Sequence, residues 1–196
     1  MRKISYILLV LFSFLTCESN DDIVTAQPQN YNILSLGDSY TIGQSVCETC
    51  GYPEQLKDSL ATNFNIEDTF YLKVIAQTGW TTTNLKSAVA SENITNTYNL
   101  VTLLIGVNNQ FQGKLFSLYE AEFPKLVNSA IAFAQNDRSN VIVVSIPDYA
   151  YTPFGQNYGN PENISMQIDA YNTFAENYCN QENITFVTIT DITRNG

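Results

Sequence analysis

The sequence predicts an α/β protein with about five parallel strands and helices on both faces of the sheet. Apolar runs typical of strands alternate along the chain with stretches of helical periodicity, the order expected for a parallel sheet. Two of the runs, residues 100–105 and 141–146, are almost entirely apolar, as expected for strands buried on both faces. Three strands end in small or polar residues, and in a doubly wound sheet such ends converge at one rim.

Five strands follow from the apolar pattern, at residues 32–36, 69–76, 100–105, 141–146 and 185–189. In the second strand Phe70, Leu72 and Val74 alternate with other residues, which is typical of a strand. Gly37 permits a sharp turn after the first strand, and Pro147 stops the fourth. Each predicted strand therefore has a defined end from which a loop leads into a helix.

Four helices are predicted. The first begins at about Pro53 and the second at residues 81–83, and the other two cover residues 115–135 and 164–179. Leu85 and Val89 lie four positions apart and so share one helical face. Pro124 must lie near a start or a kink of its helix. The sequence predicts a long aromatic loop at residues 147–161 and no helix at residues 193–196.

Length and charge limit the function classes. The 196 residues suggest one domain, which we place at residues 31–196. Nine Lys and Arg residues and a formal net charge of −10 argue against a nucleic-acid partner, because phosphate binding requires clustered basic side chains. The sequence contains no histidine, which excludes a Ser-His-Asp mechanism and a His-ligated zinc site within these residues. We expect no cofactor and no metal.

The first seventeen residues are predicted to be an export signal. Arg2 and Lys3 precede an apolar run at residues 4–15, which is short for a membrane span and typical of a signal peptide. The run leads to Cys17, and this arrangement resembles a bacterial lipoprotein signal in which the cysteine is lipidated. Phe14 and Thr16 depart from the commonest lipoprotein form, so the alternative is an ordinary secretory signal with an incidental cysteine.

Both alternatives place the protein outside the cytoplasm. The acidic residues after Cys17 resemble a surface-export signal, so we expect an outer-membrane or cell-surface lipoprotein, or otherwise a periplasmic or secreted protein. The only membrane contact expected is a lipid on Cys17. Residues 18–30 are polar, without hydrophobic periodicity, and are predicted to be a flexible tether.

Cys47 and Cys50 form a C-x-x-C motif, for which a local disulfide is expected in an oxidising compartment. A zinc site would be expected to have a second cysteine pair or a histidine. A thioredoxin-like redox role is expected where the motif opens a helix after a strand, whereas Gly51 and Pro53 here indicate a loop. Zinc binding and redox chemistry are therefore the less favoured interpretations.

Three strand ends carry the candidate catalytic residues. Ser39 follows the first strand in Gly37-Asp38-Ser39, where either Asp38 or Ser39 is a helix cap, or Ser39 is a nucleophile. Gly79 follows the second strand and can offer its backbone N–H to an oxyanion, and Asn108 follows the third and can offer its side-chain amide. Gly79 and Asn108 each also have a structural interpretation, as a turn and a cap. Their joint occurrence at successive strand ends favours acyl transfer.

These three blocks resemble those of the SGNH (GDSL-type) hydrolase family. Gly37-Asp38-Ser39 matches the first block, Gly79 the second, and Gly106-Val107-Asn108-Asn109 the third, although Asn109 replaces the Asp that is common there. The resemblance implies a three-layer flavodoxin-like fold and esterase or lipase-like activity on small acyl esters. It also implies that Ser39, Gly79 and Asn108 are the catalytic residues.

The sequence departs from the family in its fourth block, an Asp-x-x-His that supplies the general base. Asp191 resembles the residue after the last strand, ahead of where that block should come, and is not assigned as the catalytic Asp. We expect a chain that stops early, is essentially inactive on aryl esters and exposes an apolar face of its sheet. A non-catalytic exported binding protein with the same fold is the alternative function.

Overall fold

The structure, a computed structural model, describes residues 27–92, 94 and 97–195. The predicted signal peptide, the lipidation site at Cys17 and most of the predicted tether lie outside these residues. Residues 27–29 have no regular secondary structure, and Asn30 already belongs to the first strand.

Five strands form one parallel sheet, which confirms the predicted fold class. The strands are β1 Asn30–Gly37, β2 Thr69–Ala76, β3 Leu100–Leu104, β4 Val141–Val144 and β5 Thr185–Val187. Their spatial order is β2-β1-β3-β4-β5, so the chain runs outward from β1 in one direction and then in the other. In this register Gly37, the last residue of β1, lies opposite Ala76 of β2 and Leu104 of β3. The ends of these three strands therefore lie side by side.

Eight α-helices connect and follow the strands. They are α1 Ser39–Ile42, α2 Tyr52–Asn63, α3 Thr82–Ser91, α4 Val107–Phe111, α5 Phe116–Phe133, α6 Pro153–Asn157, α7 Pro161–Glu182 and α8 Thr190–Asn195 among the described residues. The four predicted helices correspond to α2, α3, α5 and α7. Pro124 lies inside α5.

Two predictions of irregular structure are wrong. The predicted loop at residues 147–161 contains a 3₁₀ turn at Tyr149–Tyr151 and helix α6, because the side chains of Asp148 and Thr152 cap them by accepting backbone N–H groups. The chain after β5 forms α8, in which the Thr193 hydroxyl donates to the Thr190 carbonyl at 2.7 Å. The capping residues were visible in the sequence, but their short helices have too little periodicity to be predicted.

The two faces of the sheet are covered differently. One face packs against α3, α5 and α7 in a continuous core that includes Leu36, Leu103 and Val143. The other face packs against α2, where the Tyr52 hydroxyl lies 3.1 Å from that of Thr102. Beyond α2 this second face bears an apolar groove of about 480 Å³. The groove is lined mainly by Leu56, Leu104, Ile142, Val144, Pro147, Val187 and Ile189.

Cys47 and Cys50 form a disulfide, as predicted, in the exposed loop between α1 and α2. Cys179 is a buried free thiol on α7. In the part of the chain that the structure describes, no helix combines the length and apolar character needed to cross a membrane.

Candidate active site

The three residues predicted from the strand ends line a single cavity of about 610 Å³. Ser39 opens α1 directly after β1, Gly79 lies in the loop between β2 and α3, and Asn108 lies in α4 after β3. Because β2, β1 and β3 are neighbours in the sheet, their carboxyl ends bring these residues to one place.

The turn before Ser39 has a strict steric requirement. A Cβ atom on Gly37 would collide with the Thr41 hydroxyl and with the Leu104 carbonyl of the neighbouring strand. Only glycine therefore allows β1 to turn so tightly into α1. Asp38 caps this short helix, because its Oδ1 accepts the N–H of Tyr40 at 3.1 Å. Of Asp38 and Ser39, Asp38 is thus the residue that caps the helix. The Ser39 side chain lines the cavity.

Asp38 is fully buried beside the candidate nucleophile, and its charge is poorly compensated. Burial raises the pKa of the Asp38 carboxyl to about 7, and backbone N–H groups, chiefly that of Tyr40, offset only part of this increase. Among the described residues, neither Asp38 Oδ2 nor the buried Thr41 hydroxyl has a hydrogen-bond partner. A buried carboxyl group with a pKa of about 7 therefore directly precedes Ser39, behind the residues that line the cavity.

The peptide at Gly79 is held in an orientation that glycine favours. Gly79 has a φ of +83°, and a side chain is strained at this angle. Its carbonyl accepts the side-chain N–H of Gln112, which follows α4, at 2.8 Å. This contact ties the Gly79 loop to the end of α4.

Asn108 is positioned by a second glycine and by a contact across the cavity. Gly106, with a φ of +132°, precedes α4, and a Cβ atom there would lie 2.7 Å from the ring of Tyr119. The Asn108 amide donates to the Trp80 carbonyl at 3.0 Å. An amide group has two N–H donors, so this bond engages one of them and leaves the second for another acceptor.

Two backbone donors accompany that amide. Within residues 27–92, 94 and 97–195, no group accepts a hydrogen bond from the backbone N–H of Ser39 or of Gly79. Backbone N–H groups that are left unpaired in a folded protein commonly serve an acceptor that is not part of the chain. These two N–H groups and the Asn108 amide could together stabilise negative charge on an oxygen next to Ser39.

Asn109 has a structural role that the sequence did not reveal. It is fully buried; its Oδ1 accepts the N–H of Thr82 at 2.9 Å, and its Nδ2 donates to the Thr82 hydroxyl at 2.8 Å. That hydroxyl donates to Glu122, which also pairs with Lys86 at 2.9 Å. Asn109 therefore fixes the start of α3 to α4. The Thr82 hydroxyl that it contacts also bonds to the Glu122 carboxylate.

Aromatic side chains form the outer wall of the cavity. Tyr149 and Phe154 line it from the segment that the sequence predicted to be an aromatic loop, whereas Tyr151 and Tyr158 do not line it. Phe111, on α4, joins this wall and was not predicted. The remaining lining residues are Tyr40, Gln44, Ser45, Thr78, Val107, Gln112 and Thr152, none of which is charged.

Comparison with protein families decides the relationship. The GDSL-like Lipase/Acylhydrolase family matches residues 35–196, which is most of the chain. The chain belongs to the GDSL-like lipase/acylhydrolase family. No curated protein sequence matches it.

Solved structures of similar fold agree with this family. LAE5, described as an alpha/beta hydrolase enzyme from the metagenome of Lake Arreo, Spain, superposes with a TM-score of 0.62 at 16% identity, covering 85% of this chain and 80% of its own. An acetylxylan esterase from Geobacillus stearothermophilus gives a TM-score of 0.61 at 16% identity, covering 81% and 76%. TesA gives a TM-score of 0.60 at 16% identity, covering 79% and 76%. At these identities the likeness establishes the shared fold.

The general base that this GDSL-like family resemblance implies has no counterpart at the described cavity. Asp191, which the sequence does not favour as a catalytic residue, is exposed on α8 and is not among the cavity-lining residues. Arg194, three positions later, pairs with Asp148. Within the described ranges, no three Cys, Asp or Glu side chains are grouped so as to bind a metal ion.

Proposed function

We propose that this GDSL-like protein is an ester hydrolase that acts on small acyl esters of glycans or lipids through an acyl-enzyme on Ser39. The observation that carries the proposal is the cavity that Ser39 shares with Gly79 and Asn108. In this mechanism the Ser39 hydroxyl attacks the ester carbonyl, the alcohol leaves with a proton, and water then releases the acid from the serine. The similarity in fold to an acetylxylan esterase is consistent with such a reaction.

The oxyanion of the tetrahedral intermediate would be stabilised by three donors. These are the backbone N–H groups of Ser39 and Gly79 and the second N–H of the Asn108 amide. Donors fixed before the reaction do not need to reorganise as charge develops, and removal of one such donor typically costs about 10²–10³ in turnover. The Gln112 contact to the Gly79 carbonyl supports this arrangement, because it orients the neighbouring peptide.

The absence of histidine limits what these residues can do alone. Ser39 then has no imidazole to accept its proton, and loss of a triad member in serine hydrolases costs about 10⁴–10⁶ in rate. We propose that the 196 residues by themselves are essentially inactive on aryl esters. The same observation favours a second candidate function, a binding protein that uses the cavity without turnover.

Imidazole supplied in solution distinguishes the two candidates. With 4-nitrophenyl acetate, we expect imidazole to raise the Ser39-dependent rate about tenfold, since a diffusing base recovers part of the about 10²–10⁴-fold that a positioned base contributes. Intact-mass spectrometry should detect an acetyl group on Ser39, and Ser39→Ala should remove both the adduct and the added rate. Ser45→Ala, the same change at a second cavity serine, should keep both.

An imidazole effect of equal size in Ser39→Ala, without an adduct in the unchanged protein, would contradict acyl transfer at Ser39. That result would favour the binding protein. The Ser39→Ala background also corrects for the direct reaction of imidazole with the ester.

We further propose that the protein acts outside the cytoplasm, with a lipid on Cys17 as its membrane anchor. The Cys47–Cys50 disulfide supports this location, because disulfides persist in oxidising compartments. The apolar run and cysteine of residues 4–17 support it independently.

A further inference from the structure

Four aromatic rings form one continuous surface beside the candidate active site. The Tyr158 ring stacks on Phe111 with centroids 4.9 Å apart and on Phe154 with centroids 5.2 Å apart. Tyr149 lies beneath, 6.1 Å from Phe111 and 6.3 Å from Phe154. We name these four residues the aromatic platform. Phe111, Tyr149 and Phe154 also line the Ser39 cavity, so the platform extends outward from the reaction site.

Three of the four platform rings are exposed to solvent although they pack against one another. Phe111 is 38% exposed, Phe154 57% and Tyr158 44%. A second aromatic cluster, formed by Tyr31, Phe64 and Phe70, lies at the opposite end of the sheet, and only Phe64 there is exposed. Adjacent exposed apolar groups mark a binding surface more often than an isolated one does.

The segment that carries the platform is rigidly held. The Tyr149 hydroxyl donates to Gln110 at 2.8 Å, and Gln156 donates to the Ala150 carbonyl at 2.6 Å. Gly155 packs so closely on the Tyr149 carbonyl that a Cβ atom would collide with it. Rings held in place before binding lose little conformational entropy when a ligand stacks on them.

The chemistry around the platform favours a neutral, hydroxyl-rich ligand. None of the described cavity-lining residues is charged, although the chain has a formal net charge of −10. Gln44, Gln112 and Thr152 offer amide and hydroxyl groups at the cavity wall. Val107 is the single aliphatic side chain among the described lining residues, so an acyl chain would find little aliphatic surface there.

We propose that the aromatic platform binds a pyranose ring of a neutral glycan whose O-acyl group reaches Ser39. The faces of aromatic rings carry partial negative charge, which suits the polarised C–H groups on one face of a sugar. The amide and hydroxyl groups of the cavity wall would hydrogen-bond the sugar hydroxyls. This inference rests on the proposed ester hydrolysis and selects glycan esters over lipid esters as its substrate class.

Binding to the Ser39→Ala protein tests the platform without requiring turnover. The probe is partly O-acetylated xylohexaose, a linear neutral oligosaccharide, titrated by isothermal calorimetry. We expect Phe154→Ala to weaken its binding about tenfold, because one ring–ligand stacking contact is lost, and Phe154→Trp to preserve it. Phe64→Ala, the same change at an exposed ring of the second cluster, should leave binding unchanged. An O-acetylated galacturonate hexamer, which is anionic, should bind at least tenfold more weakly than the xylohexaose.

Two results would overturn the inference. One is xylohexaose binding that Phe154→Ala does not weaken. The other is a lack of xylohexaose binding in a protein that binds a short-chain diacylglycerol through Phe154, which would assign the platform to lipid esters. Failure here is distinct from failure of the proposed reaction, because acetylation of Ser39 by an aryl ester is measured without any glycan.

Discussion

Two buried aspartates follow strands of the sheet and differ in how their charge is compensated. Asp38 comes directly after β1 and Asp148 lies four positions after the end of β4; both side chains are fully buried, and each caps the turn that follows it. Asp148 Oδ2 accepts two N–H groups of Arg194, at 3.0 and 2.9 Å. Asp38 Oδ2 has no partner among the described residues, and burial raises its pKa to about 7.

The difference separates a structural aspartate from one at the candidate active site. A buried carboxylate paired with arginine holds two distant segments together, here the aromatic-platform segment and α8. An uncompensated carboxyl group stabilises the fold less and changes its charge near neutral pH. The uncompensated one lies next to Ser39, where perturbed titrating groups are most often found in enzymes.

The largest effect is expected for Asp38→Asn, through the pH dependence of stability. Because the folded pKa of about 7 lies above the ordinary aspartate value of 3.8, the contribution of Asp38 to stability is greatest below pH about 4 and falls as pH rises toward 7. The asparagine cannot ionise. Its stability relative to the unchanged protein should therefore rise by up to about 4 kcal/mol between pH 4 and pH 8.

Urea denaturation of both proteins at several pH values measures this difference. At pH 4 the Asp38 carboxyl of the folded protein is neutral, like the asparagine amide, so that pair of measurements serves as the control for any change in packing. A constant difference between the proteins across the whole range would show that Asp38 is compensated after all, like Asp148.

Removal of Arg194 should have the next largest effect. Arg194→Met leaves Asp148 as a buried, unpaired carboxylate, which typically costs about 3–5 kcal/mol; the partial exposure of Arg194 favours the lower value, about 3 kcal/mol. Urea denaturation at pH 7.5 measures it. Arg138→Met is the matched control, because Arg138 pairs with Glu182 at the surface, where a salt bridge contributes about 0–1 kcal/mol. Similar losses in the two variants would remove the contrast between the two strand ends.

The smallest effect is expected for Thr41→Val, which removes the unpartnered hydroxyl near Asp38. Deleting a buried polar group that makes no hydrogen bond should change stability by less than about 1 kcal/mol, with a gain as the expected sign. Thr82→Val is the control, since the Thr82 hydroxyl bonds to Asn109 and Glu122, and its loss should cost about 1–3 kcal/mol. Thermal denaturation compares the two. A loss for Thr41→Val as large as for Thr82→Val would indicate that the Thr41 hydroxyl is hydrogen-bonded in solution.

The sequence allowed prediction of the features that depend on local pattern. Alternating Phe70, Leu72 and Val74 placed β2 at its observed bounds, and the strand-end positions of Ser39, Gly79 and Asn108 were enough to bring them to one cavity. The parallel sheet brings these residues together, because the carboxyl ends of neighbouring strands lie side by side.

The features that were missed depend on contacts between distant residues. Arg194 reaches Asp148 across 46 positions, and Asn109 reaches Thr82 across 27. Phe111 joins the aromatic platform from a different segment than Phe154. No residue periodicity encodes such pairs, since they arise only when separate elements pack.

Asn109 helps to set the distance between two elements of the candidate oxyanion site. The Gly79 loop leads into α3 and Asn108 lies on α4, and the two Asn109 hydrogen bonds to Thr82 join these helices directly. The spacing between the Gly79 and Asn108 donors is thus held by Asn109, which does not line the cavity. A change at Asn109 should therefore alter this spacing, whereas a change in the aromatic platform should leave it unaltered.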